Sequence, residues 1–205
     1  LICSGENNEY IHMIVNTNGE YEGQGRTNLY SRSMDGGATW DPHNVVLPDM
    51  GDDDYIEITQ DKCVFAAKGN TVCILYPNPY SDFFYIRSDD NGENWEKTII
   101  WQHPIPFYDE TTMQIDSIFI PDFSGHMAID NEGHAHVVWG ITRYINDASG
   151  SGFFAYHPDW NDGIGYWNDM MNRFTSGYNA LAPPDIPYVA GSELVVDETY
   201  IGWMQ

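Results

Sequence analysis

Positive charge is what this sequence has least of. Its 205 residues carry 8 lysines and arginines against 31 aspartates and glutamates, a formal net charge of −23 with a pI near 4.2. A surface of that sign repels phosphate backbones and anionic lipid headgroups, which argues against nucleic-acid binding and membrane insertion. A calcium ion or a basic partner meets no such barrier. No run approaches the roughly 18 apolar residues of a membrane-spanning helix. Cysteine is scarce as well: Cys3, Cys63 and Cys73 make an odd set, too few for a disulfide framework. Cys63 and Cys73 fall on the two arms of one expected hairpin with matching parity, leaving a cross-strand disulfide and two separate buried thiols both open. Long helices are excluded by frequent proline and glycine; only residues 168–173 read as one or two helical turns. Gly-rich phosphate loops, Cys-x-x-Cys pairs and a Ser-His-Asp arrangement in recognisable context are also missing, so no cofactor is called for.

What the sequence does contain is repetition. Strand-like runs begin at Ile11, Val72, Ala135 and Thr199, in steps of 61, 63 and 64 residues. Each follows a turn rich in Gly, Asn or Asp, and the last three of those turns follow another short apolar run. An eight-residue signature appears twice within this frame. It reads Ser33-Met-Asp35-Gly-Gly37-Ala-Thr39-Trp40 and again Ser88-Asp-Asp90-Asn-Gly92-Glu-Asn-Trp95, each time after a strand-like run ending in Arg-Ser.

The signature has a mechanical meaning. A short aspartate accepts hydrogen bonds from the N–H groups of its own turn, and the glycine two residues on supplies a positive φ. The serine hydroxyl satisfies a further turn group. Trp40 and Trp95 are then expected to start the next strand and bury their rings between layers. Ser33, Asp35, Gly37, Thr39, Trp40, Ser88, Asp90, Gly92 and Trp95 are accordingly read as structural residues. The predicted class is all-β, in units of a hairpin, a third strand, the turn and a fourth strand.

The two copies resemble the Asp-box, or BNR repeat, of sialidase-like β-propellers, with Asn94 in place of the second Thr. The resemblance implies four-stranded antiparallel blades, here roughly 1–60, 61–122, 123–185 and an incomplete 186–205. Sialidase-like propellers have six blades, so the remaining blades are expected from a longer chain. In the third unit the signature is expected within residues 153–167, in degenerate form. The stretches Ala128-Ile-Asp-Asn-Glu-Gly-His-Ala-His-Val-Val-Trp-Gly140 and Gly163-Ile-Gly-Tyr-Trp-Asn-Asp169 resemble secreted or cell-surface propeller proteins of Bacteroidetes-like bacteria, which implies export.

Two functions follow. One is a non-catalytic extracellular module that binds a glycan or a protein or serves as structure. The other, implied by the resemblance, is a sialidase-like glycoside hydrolase using an arginine triad, a Tyr–Glu nucleophile and an Asp acid/base, with its catalytic residues partly outside this chain. Of the five arginines, Arg32 and Arg87 belong to the repeat, Arg26 to a Gly-rich loop and Arg173 to an expected surface turn; Arg143 alone stands as a central candidate. Tyr156, Trp160, Tyr166 and Trp167 are candidates for stacking on a sugar, with packing between blades as the alternative. His134 and His136, two apart, share a strand face and form a candidate transition-metal pair. Asp52, Asp53, Asp54 and Glu57 offer the oxygen ligands a structural calcium prefers.

Overall fold

The computed structural model describes residues 1–55, 58, 63–78, 81–103, 118–145 and 155–175. Among them every helix or strand is a strand, and the strands form three sheets. The first contains β1 (Ile2–Ser4), β2 (Tyr10–Asn16) and β3 (Asn28–Ser33), in that order. Beyond β3 the chain turns and runs back beside it without forming a full strand. Asp41 N–H donates to the Arg32 carbonyl at 2.8 Å, and Tyr30 pairs with Val45.

The second sheet holds β4 (Val64–Lys68), β5 (Thr71–Tyr76), β6 (Phe83–Ser88) and β7 (Glu96–Gln102), antiparallel throughout. The third holds β8 (Ile118–Ile129), β9 (Ala135–Ile145) and β10 (Ala155–Asn168). A short β11 (Phe174–Thr175) crosses over to pair in parallel with β7. Phe174 explains the crossing, because its ring packs on Trp139 at 6.2 Å, against the core between the second and third sheets.

The sheets stack face to face, and the composition of each strand follows its place. β5 is apolar along nearly its whole length because the second sheet is covered on both faces. Ile74, Tyr76, Phe84 and Ile86 point toward the first sheet and pack with Tyr30 and Ile14. Cys73, Leu75, Phe83 and Tyr85 point the other way, onto Val137, Trp139 and Trp167 of the third sheet. β1 touches β4 and β4 touches β8, so the leading strands of the three sheets lie side by side.

Three expectations change here. Residues 168–173 form a tight turn rather than helix, closed by the Met171 N–H to the Asn168 carbonyl at 2.9 Å. The stretch 153–167, read as the site of a third signature, lies mostly within β10, so the corresponding turn follows Asn168 instead. Here Asp169 takes the place of the turn serine, because Asn168 pairs with His136 as Arg32 pairs with His12. Finally, all three cysteines are free. Val64 pairs with Leu75, which places Cys63 and Cys73 on opposite faces of the sheet. The Cys63 thiol donates to Asn28 at 3.1 Å, while Cys73 is sealed in the other core, where burial pushes its thiol pKa up to about 12.

Candidate functional site

The two signature turns close in the same way. In the first, Ser33 Oγ accepts from Gly37 N–H at 2.8 Å and donates to Asp35 Oδ1 at 2.9 Å. Asp35 accepts from the Thr39 N–H at 2.8 Å and from its hydroxyl at 2.7 Å. In the second, Ser88 bonds Gly92 N–H at 2.7 Å and Asp90 at 2.8 Å. Asn94 replaces threonine without loss: its side-chain amide donates to Asp90 Oδ2 at 2.7 Å, as the Thr39 hydroxyl does to Asp35. These donors hold both carboxyls below their ordinary range, that of Asp90 at about 2, with the Asn94 side chain the largest cause.

The surroundings of the two turns differ. Trp95 packs edge-on against Tyr30 at 5.1 Å, against the core between the first two sheets. Trp40 is only half-buried and belongs to neither core, so the expected burial between layers does not extend to it. A buried chain of hydrogen bonds joins the second turn to the first sheet. Ser4 Oγ donates to Asn91 Oδ1 at 2.8 Å, so the His12 Nε2–H, also at 2.8 Å, must donate to Ser4. His12 Nδ1 is then left to accept from the Tyr30 hydroxyl at 2.7 Å. That direction requires a neutral imidazole. Burial, with the nearby Arg32 charge, lowers the His12 pKa to about 4. Arg32, itself buried, donates to the Asn91 carbonyl at 3.0 Å and pairs with Glu93 at 2.9 Å.

Arg87 repeats this clamp between the second and third sheets. It binds Asp89 on its own turn, the Gly133 carbonyl at 2.9 Å and Asp169 at 3.4 Å. The hydrogen bond with Asp89 raises the Arg87 pKa and lowers that of Asp89. Asp169 also accepts from His134 Nδ1 at 2.9 Å and from the Ala135 N–H at 3.0 Å. Beside this clamp an open cleft of about 420 Å³ lies between the sheets. Tyr85, Arg87, Glu96, Thr98, Glu132 and His134 are among its lining residues. It combines one guanidinium and an imidazole with carboxylates and hydroxyls, a polar surface suited to hydrogen-bonding a hydrated ligand.

Other sequence candidates separate. His134 turns to Asp169, whereas His136 lies between Asp130 at 3.0 Å and the Tyr166 hydroxyl at 2.7 Å, so the two imidazoles do not converge. Among the described residues no group of three or more His, Cys, Asp or Glu side chains is arranged to hold a metal ion. In the acidic loop, Lys97 supplies the positive charge: it binds the Asp49 carbonyl at 2.5 Å and lies 3.8 Å from Asp54. Asp52 lies against Gly23 and Asp53 is exposed, while Glu57 is outside the described residues. Trp167 is 1 % exposed in the core, so its ring faces are closed to a sugar; Tyr166 is half-buried. Arg143 lies in β9 and Tyr156 and Trp160 in β10, with side chains outside the described part of the structure.

Sequence reasoning passed over Ser4, Tyr30 and Asp169. A signal existed for the tyrosines: Tyr30, Tyr85 and Tyr166 each stand two residues before the last residue but one, or last, of a third strand, opposite an apolar residue of the second.

No protein-family model matches the chain, and no curated protein does. Among solved structures it is similar to Trypanosoma rangeli sialidase, at 11% identity and a TM-score of 0.35 over 80% of this chain and 30% of that one. A mutant of NanB sialidase from Streptococcus pneumoniae gives 12% and 0.36, over 76% of this chain and 22% of that one. The chain thus spans less than a third of either structure. The likeness is one of β architecture, and no residue role is carried across it.

Proposed function

We propose that this chain is a segment of a sialidase-like β-propeller that acts outside the cell as a non-catalytic binding or structural module, with a glycan or a protein as ligand. The observation that carries this reading is the use of arginine. Arg32 and Arg87 are engaged as clamps between sheets, which removes both from any carboxylate-gripping triad. Of the other three, Arg26 and Arg173 are exposed in loops, which leaves Arg143, and one guanidinium gives neither the orientation nor the charge neutralisation such a transition state needs. The side-by-side leading strands support the propeller, and the open polar cleft beside Arg87 is the place for a ligand.

Purified chain incubated with a fluorogenic sialoside is expected to give no turnover. Hydrolysis lost in Arg143→Ala would overturn the proposal and make the chain a glycoside hydrolase. A glycan array is the companion measurement, with Glu132→Ala, an exposed residue of the cleft, expected to abolish any signal the unaltered chain gives.

A further inference from the structure

The dipeptide Asn-Gly occurs at Asn18–Gly19 and again at Asn91–Gly92. In this context a chain can react with itself. Glycine lacks the Cβ that would shield its amide nitrogen, so that nitrogen can attack the side-chain carbonyl carbon of the asparagine before it. The fold treats the two copies oppositely.

Asn91–Gly92 is locked. Asn91 is buried, its Oδ1 accepts from Ser4 Oγ at 2.8 Å, and its carbonyl accepts from Arg32 at 3.0 Å. Its own N–H donates to the Asn70 carbonyl at 2.9 Å. The nitrogen that would attack is occupied as well, since the Gly92 N–H donates to Ser88 Oγ at 2.7 Å. Turning Gly92 toward the Asn91 side chain breaks these bonds together, so reaction there waits on local opening of the second turn.

Asn18–Gly19 lies in the loop from β2 to β3, with both residues exposed. Gly19 has a φ of +134°, and a Cβ added to it would meet nothing within 4 Å. The base of the loop is well fastened: Thr17 and Thr27 exchange hydrogen bonds at 2.9 and 3.0 Å, and Thr17 Oγ donates to the Gly19 carbonyl at 2.9 Å. These bonds grip the carbonyl of Gly19 and not its nitrogen. Among the described residues neither the Asn18 side chain nor the Gly19 N–H has a hydrogen-bond partner.

We propose that Asn18 is a self-modifying site, converted by the chain and water alone into aspartate and isoaspartate. Hydroxide removes the Gly19 amide proton, and the nitrogen bonds to Asn18 Cγ. The Cγ–Nδ2 bond breaks, and the departing nitrogen takes a proton from water and leaves as ammonia. The resulting succinimide is opened by water at either carbonyl: the side-chain one gives aspartate, the main-chain one isoaspartate. Both products place a further negative charge on the loop. Isoaspartate also inserts a methylene into the main chain, which shifts the Gly19 carbonyl against the Thr17 hydroxyl that holds it.

The full chain, kept folded for days at mildly alkaline pH and then digested with trypsin, provides the test. Cleavage at lysine and arginine separates peptide 1–26 from peptide 88–97, so fragment mass spectrometry reads the two asparagines independently. The amide-to-acid mass shift is expected at Asn18, together with methyl transfer to the product by an isoaspartyl methyltransferase, while Asn91 keeps its amide. In concentrated urea, which removes the lock, both should convert alike. An Asn18 that keeps its amide in the folded chain but loses it in urea would overturn the proposal, because the fold would then protect it. Equal conversion of the two asparagines in the folded chain would overturn it as well, since the fold would then distinguish nothing between them.

Discussion

The turns at residues 33–40 and 88–95 are closed by the same hydrogen bonds, yet among the described residues only the second is fastened to a neighbouring sheet. Its Asn91 backbone and side chain are held by Arg32 and Ser4, its Gly92 lies on Tyr30 and His12, and its Trp95 packs on Tyr30. Among the described residues the first turn has the internal bonds alone, and its tryptophan is half-buried. A local motif can therefore be complete in itself and still differ in what it contributes. The hydrogen bonds within a turn shape the loop, whereas contacts across sheets decide how much the fold depends on it.

The sharpest way to break this comparison is at the two glycines. Both have positive φ, +92° at Gly37 and +83° at Gly92, so alanine at either costs about 1–2 kcal/mol in backbone strain. At Gly37 the nearest atom to a new Cβ is in the Trp40 ring at 3.8 Å, and nothing more is lost. At Gly92 the new Cβ meets Tyr30 and His12, adding overpacking of about 1–3 kcal/mol. Denaturant midpoints should fall about twice as far for Gly92→Ala as for Gly37→Ala. Equal shifts would show that the contact of Gly92 with Tyr30 and His12 does not hold the second turn.

The buried hydrogen-bond chain through Ser4, His12 and Tyr30 also makes the second turn sensitive to acid. His12 has a folded pKa of about 4 against the ordinary histidine value of 6.5, so between those values the unfolded chain binds a proton that the folded chain does not. Stability from this group therefore rises with pH: it is fully present above 6.5 and falls by about 3 kcal/mol as pH drops through 4. Stability measured from pH 7 to 4 should be flatter in His12→Gln than in the unaltered chain. The carboxylates of the turns titrate lower. Asp90, depressed to about 2, loses its contribution only as pH falls from the ordinary carboxylate range through that value. Parallel profiles for the two proteins would remove His12 from the account.

The smallest effect expected is from exchanging the residues that differ between the turns. Thr39→Asn and Asn94→Thr each keep a donor to the carboxylate, and both lie on exposed turns, so each should change stability by no more than about 0.5 kcal/mol. A larger loss in Asn94→Thr alone would mean that the amide serves the sheet junction as well as its own turn.

Much of this architecture was legible in the sequence because it is short-range. The turn bonds link residues no more than four apart, and strand runs show their alternation locally, so Ser33, Asp35, Ser88 and Asp90 could be read directly. The all-β class followed from the same signals. Other features depended on partners far along the chain. Ser4 meets Asn91, Arg87 meets Asp169, and Trp40 and Trp95 part company, through the stacking of one sheet on the next. Cys63 and Cys73 are divided by a register that places them on opposite faces, and His134 and His136 by the different carboxylates that reach them. Sequence by itself determined the strands and the closing of the turns, because those energies are local. Which face is covered, which arginine becomes a clamp and which tryptophan is buried were decided by tertiary structure, because these depend on residues brought together only when the sheets pack.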